Sequence, residues 1–167
     1  MTSDSLEAKG FFRLQVVEGD KVVGDSGWSQ NTVTNLGKRN FLCYGLAGAA
    51  GSLQVGQAAL GMNVSTTAYP AAATALVSEL TDAGYTRMNT VGGVFATSQV
   101  ASNSIQFQFT LASNLVSTDR TIAEVGLFQY DASATATGGT LFAGNTFASS
   151  NLATNQAVNG TYEIRFS

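Results

Sequence analysis

Apolar and polar residues alternate with a period of two in several separate stretches of the chain, the mark of strands with one buried face. The cleanest is "SIQFQFTLA", where Ile105, Phe107, Phe109 and Leu111 alternate with Gln106, Gln108 and Thr110. Near the start, Phe12, Leu14 and Val16 alternate with Arg13 and Gln15, and "EGD" at 18–20 supplies a turn before "KVV". That region reads as a hairpin. At the far end Tyr162, Ile164 and Phe166 face one way while Glu163 and Arg165 face the other. "SLQVGQAALGMN" (52–63), "TIAEVGLFQY" (121–130) and "TLFAGNTF" (140–147) read as further strands. "YTRMNTVGGVFATSQV" (85–100) reads as a long or bulged strand with the Gly92–Gly93 pair at its bulge or turn. "ALVSELTDAG" (75–84) fits either one helical turn or the start of a strand.

Only one segment has helical spacing. Asn35 is placed as an N-cap, Leu36, Phe41, Leu42 and Leu46 share one face, and Gly45 and Gly48 end the helix. Cys43 lies on that helix and is expected to be buried. Residues 1–9 lack any period and read as a flexible arm, leaving 10–167 as a single domain. "VSTTAYPAAAT" (64–74) reads as a surface loop around Pro70, and "DASATATGG" (131–139) as a loop of small residues. Several short strands between Gly, Ser and Asn turns predict a mainly β fold. The expected architecture is an antiparallel β-sandwich or barrel-like domain with one short helix near 35–47.

Composition changes this picture in one respect. Only 11% of the 167 residues are charged, against roughly 25% in ordinary globular domains. Residues 40–78, 88–118 and 132–162 carry no charge at all. A surface so neutral offers little repulsion between neighbours and suits a protein packed in an assembly. The net charge of −3 lacks a nucleic-acid footprint, although Lys9, Arg13, Lys38 and Arg39 give the first quarter a basic bias. No membrane or nucleic-acid partner is expected. The longest apolar run, "FLCYGLAGAA" (41–50), is too short to span a bilayer, and no secretion signal opens the sequence. The sequons at Asn63 and Asn159 are therefore read as coincidence.

Candidate chemistry is sparse. The absence of histidine removes Ser-His-Asp and Cys-His catalysis. One cysteine cannot build a structural zinc site, and no phosphate loop or other cofactor motif occurs. Glu18 and Asp20 sit at a hairpin tip, where carboxylates are solvated and shape a turn, and "EGD" lacks the further oxygens calcium needs. Glu124 is the informative acid, because it interrupts an apolar strand. As a catalyst it needs a second acid, which no sequence neighbour offers. As a structural charge it needs only a donor. Arg120, Arg165 or backbone N–H groups at a bulge made by Gly126 are the candidates. Trp28 is expected to pack in the core or hairpin, and Tyr69, beside Pro70, to be an exposed contact.

Two pieces of the chain resemble small virion proteins of tailed bacteriophages. "GFFRLQVVEGDKVVGDSGWSQNTVTNLGKRNFL" is similar to a strand, hairpin, aromatic and "N-x-V-T-x-x-G" layout that leads into a helix. "TIAEVGLFQY…GGTLFAGNTF…VNGTYEIRFS" is similar to the closing run of phage structural and tail-fibre-like proteins. Together they cover about half of the chain. The resemblance implies a virion component without enzymatic activity, often a trimer or higher ring, made in the host cytoplasm and resident in the virion. Ile122, Glu124, Gly126, Leu127 and Phe128 would then hold the sheet together. The chain stops after its closing strand without a fibre shaft, which favours a capsid decoration or cement protein bound to the major capsid protein. The alternative is a tail, collar or fibre-associated protein that binds host glycans or other tail proteins.

Overall fold

A computed structural model describes residues 7–65, 67–89, 95–130 and 139–167. Ten strands follow in order: β1 Ala8–Glu18, β2 Lys21–Asp25, β3 Ser29–Val33, β4 Val55–Gly61, β5 Met88–Asn89, β6 Phe95–Ala101, β7 Ser104–Leu111, β8 Arg120–Gln129, β9 Leu141–Leu152 and β10 Ala157–Phe166. They form one antiparallel sheet ordered β5-β4-β8-β9-β3-β1-β10-β7-β6, with β2 beside β1. The sheet curls until its ends nearly meet, β4 lying near β6 and β5 near β7. The domain is a nearly closed barrel, one of the two expected architectures.

The period-two stretches bury the faces expected of them. Phe12, Leu14, Val16, Phe107, Phe109 and Leu111 all point into the barrel. Strand β8 has no free face, and its phase explains why. Pairing with β9 shifts register between Ile122 and Glu124, a bulge that flips the alternation. Beyond it Val125 and Leu127 point into the barrel. Phe128 points outward into a second cluster with Ala59, Tyr69, Leu76 and Leu141. The strand reads as almost continuously apolar because both of its faces are covered.

What covers the outer face is the long connection from β4 to β5. It contains no regular strand or helix among its described residues, and a single bridge joins Gly61 to Glu79. The 75–84 stretch is thus neither a helical turn nor a regular strand. The Gly92–Gly93 pair, residues 1–6 of the expected arm and residues 131–138 of the expected loop lie outside the described residues. Residues 8 and 9 already belong to β1, and Glu7 exchanges backbone hydrogen bonds with Ser167 at 2.9 and 3.0 Å.

The helix follows β3, wound as π over Gly37–Cys43 and as α over Tyr44–Ala47. Its cap is Thr34 rather than Asn35. The Thr34 hydroxyl accepts the Gly37 N–H at 2.9 Å and donates to the Leu141 carbonyl at 2.7 Å. Asn35 instead gives its backbone N–H to Ala71 at 2.8 Å. Being buried, Thr34 ties the helix to β9 and caps it at once. Gly48 ends the helix in the left-handed conformation, at φ 59°. Phe41 reaches the core, whereas Leu46 stands 79% exposed, and Cys43 is exposed as well. The first helical turns lean on β9 and the last one leaves it, so the shared apolar face is only partly covered.

Candidate functional site

Glu124 is fully buried, with 0% exposure. It stands opposite Gly61 of β4 and Thr146 of β9, on the outer face that the bulge created. Its two oxygens accept backbone hydrogen bonds from the covering segment: Val77 N–H at 2.8 Å and Ser78 N–H at 3.1 Å. The same segment gives Met62 N–H to Ser78 and Leu80 N–H to Leu60, both at 2.9 Å. Residues 77–80 thus dock beside the end of β4, with the carboxylate replacing part of a strand ladder. Charge-assisted bonds of this kind are stronger than neutral ones, which is how a buried carboxylate is tolerated without a cation.

Neither arginine anticipated as its partner reaches it. Arg120 pairs with Asp82 at 2.5 Å, and Arg165 pairs with Glu163 at 2.8 Å and lies over the Phe11 ring. Both arginines sit at the surface, where a carboxylate on the same or a neighbouring segment is easier to reach than one sealed under a loop. Gly126 does not make the bulge either. The register shifts fall at 122/124 and 127/128, and Gly126 pairs regularly with Ala59 and Gly144. Its role is space: a Cβ there would lie 2.8 Å from Leu76 Cδ2.

Tyr69 is not an exposed contact. It is 4% exposed, donates its hydroxyl to the Ala75 carbonyl at 2.9 Å, and packs its ring over Gly144. Burial, and then the nearby Glu124 charge, raise its phenol above the usual range. Trp28, expected to pack in the core or hairpin, is outside the core and 47% exposed on the turn between β2 and β3. The chain steps there along β1 from its pairing with β2 to its pairing with β3, and the side chain is left at the surface.

A second polar group lies beside the first and has no counterpart in the sequence reading. Arg87 forms a two-bond pair with Glu79, Nε to Oε1 at 2.7 Å and Nη2 to Oε2 at 2.8 Å. The guanidinium is stacked 3.7 Å from the centre of the Phe128 ring. Its Nη1 also donates to Gln57 Oε1 at 3.4 Å. Eight residues separate Glu79 from Arg87, a spacing with no helical or strand meaning across an irregular segment. Gly61 was equally silent in the sequence, yet a Cβ there would fall 2.3 Å from Glu124 Oε2 and 2.8 Å from the Ser78 carbonyl. Gly61→Ala is expected to displace the carboxylate and lower stability by about 1–3 kcal/mol, the usual range for overpacking. Urea unfolding checks it, and an unchanged midpoint would refute the close approach.

The other carboxylates have ordinary surface duties. Arg13, and secondarily the Gly27 N–H, hold Asp25 well below the usual carboxylate range. Glu18 accepts from the Asn155 side-chain amide at 3.0 Å. Among the described residues no three His, Cys, Asp or Glu side chains gather to hold a metal, and no helix is long and apolar enough to cross a membrane. The site defines a class in structural terms: an antiparallel barrel whose outer wall carries a loop pinned by a buried carboxylate. Comparison with protein-family models, curated proteins and solved structures finds no match for the chain.

Proposed function

We propose that this chain is a non-enzymatic structural protein of a tailed-bacteriophage particle, a capsid decoration or cement protein that binds the assembled shell and stabilises it. The observation that carries the reading is a set of exposed apolar side chains on the covering loop. Val77 is 68% exposed and Val64 65%, and Met62, whose N–H bonds the Ser78 carbonyl, is exposed as well. Glu124 holds the loop backbone at Val77 and Ser78, which fixes where Val77 is offered. Residues 40–78 contain no charge, so Met62, Val64 and Val77 stand in a stretch with no charge of its own to repel a partner. A preordered surface loses little entropy on docking, and repeated sites on a symmetric shell add avidity. The enclosed position of Glu124 supports a holding role over an acid–base one, which needs contact with a substrate.

A tail, collar or fibre-associated adaptor is the second reading. It is supported by the exposure of Trp28 and Tyr44, aromatic platforms on the surface where Tyr69 offers none. Co-sedimentation with undecorated capsids and with isolated tails separates the two. Wild-type protein is expected to saturate capsids at a fixed copy number, and Val64→Lys with Val77→Lys to abolish that binding without unfolding the barrel. Binding to tails alone, lost in Trp28→Ala, would replace the first reading by the second.

A further inference from the structure

We propose that strand β6 is a self-pairing edge, and that two copies of this chain join through it into one continuous antiparallel sheet. The inference does not depend on which particle the protein serves. Among the described residues β6 pairs with β7 alone, and β4 comes near it without pairing. Phe95 is buried at its start, and residues 96–101 are all exposed. Open edges of that length invite pairing, and proteins ordinarily guard them with charge or proline. Here residues 88–118 contain neither a charge nor a proline.

The occupant is chosen by what the other edges offer. The opposite end of the sheet, β5, is two residues long and both are buried. The free side of β2 faces β9 closely: a Cβ on Gly24 would lie 3.9 Å from the Ser150 hydroxyl. Lys21 and Asp25 stand at the two ends of β2. Among the described residues, the strand best matched to β6 in length and neutrality is therefore β6 of a second copy. Two identical strands pair antiparallel about a two-fold axis normal to the sheet, and that axis must pass beside one residue that faces itself. The β6–β7 register shifts between Gln99 and Ala101. An axis beside Ser98 keeps that irregularity at the margin, with Thr97 opposite Gln99 and Ala96 opposite Val100. Val100 is 49% exposed in the single chain and gains a neighbour.

The register makes the test specific. Sedimentation velocity across a concentration series is expected to show a wild-type dimer. Ser98→Lys and Ser98→Asp, each placing like charges opposite one another, should weaken it by ~10-fold or more, and an equimolar mixture of the two should restore it. Circular dichroism shows whether each variant folds. Should either fail, Ala96→Lys alone must weaken the dimer, and Ala96→Lys with Val100→Asp must recover it. A monomer at every concentration overturns the proposal. So does a trimer, which needs two different edges, and so does a dimer indifferent to these charges.

Discussion

Replacing Glu124 by alanine is expected to release the loop while leaving the barrel closed. The substitution removes both acceptors from Val77 N–H and Ser78 N–H and opens a cavity over Gly61. An orphaned donor costs ~1–3 kcal/mol. Val77 lies near solvent and part of that loss is recovered by hydration, so the total should be about 3 kcal/mol. Glu124→Gln should cost roughly half as much, because one oxygen remains an acceptor while the amide NH2 opposes an N–H. Urea unfolding gives the energy. Hydrogen exchange at Val77 and Ser78 and limited proteolysis within 62–87 give the location. A loop that stayed protected in the alanine variant would show that its apolar cluster, not the carboxylate, holds it down.

The second large effect belongs to Arg87. Arg87→Ala strands the Glu79 carboxylate in a nearly closed site and strips the cation from the Phe128 ring. Breaking a buried pair from one side costs about 3–5 kcal/mol. Removing both charges with apolar residues, Glu79→Leu with Arg87→Met, should recover much of that loss, since neither partner is left unpaired. The effect should change little between low and high salt, because buried pairs are weakly screened. Equal losses in the single and double variants would place the arginine's value in its packing instead. Both experiments probe the same object: a loop whose order comes from a few polar contacts over a small apolar cluster.

That object was only half visible in the residues. The strands were legible where period two is undisturbed, as at 105–111 and 162–166, because burial of one face is a local rule. Glu124 was legible as an anomaly, since a charge in an apolar strand demands an explanation. Its partners were not. They are backbone N–H groups 46 and 47 residues away, and a backbone donor leaves no trace in residue type. Arg120, Arg165 and backbone N–H groups near Gly126 were the candidates; the donors are backbone, but they come from the covering segment. The cap failed for a related reason: Thr34 and Asn35 are adjacent good caps, and the choice fell to a carbonyl on β9. Trp28 and Tyr69 were placed by residue character, apolar inside and loop outside. The fold inverted them, because the turn leaves Trp28 at the surface and the loop is itself a covering layer.

The pairing of β1 with β10 bears on how the chain reaches this state at all. The ladder runs from Ala8 opposite Phe166 to Val17 opposite Ala157, joining the two ends of the described chain. Strand β10 also completes the inner edge of β7. Until β10 has been made, β1 and β7 each lack a neighbour, and the sheet has a gap where three core strands should meet. Contacts so distant in sequence form slowly, because a long loop must close before any of its energy is returned. A ribosome-bound chain lacking β10 therefore holds an open sheet, β5-β4-β8-β9-β3-β1, and a separate β6–β7 hairpin instead of a barrel. Folding should be slow and should wait for β10, and truncation within β10 should yield aggregated protein rather than a smaller domain.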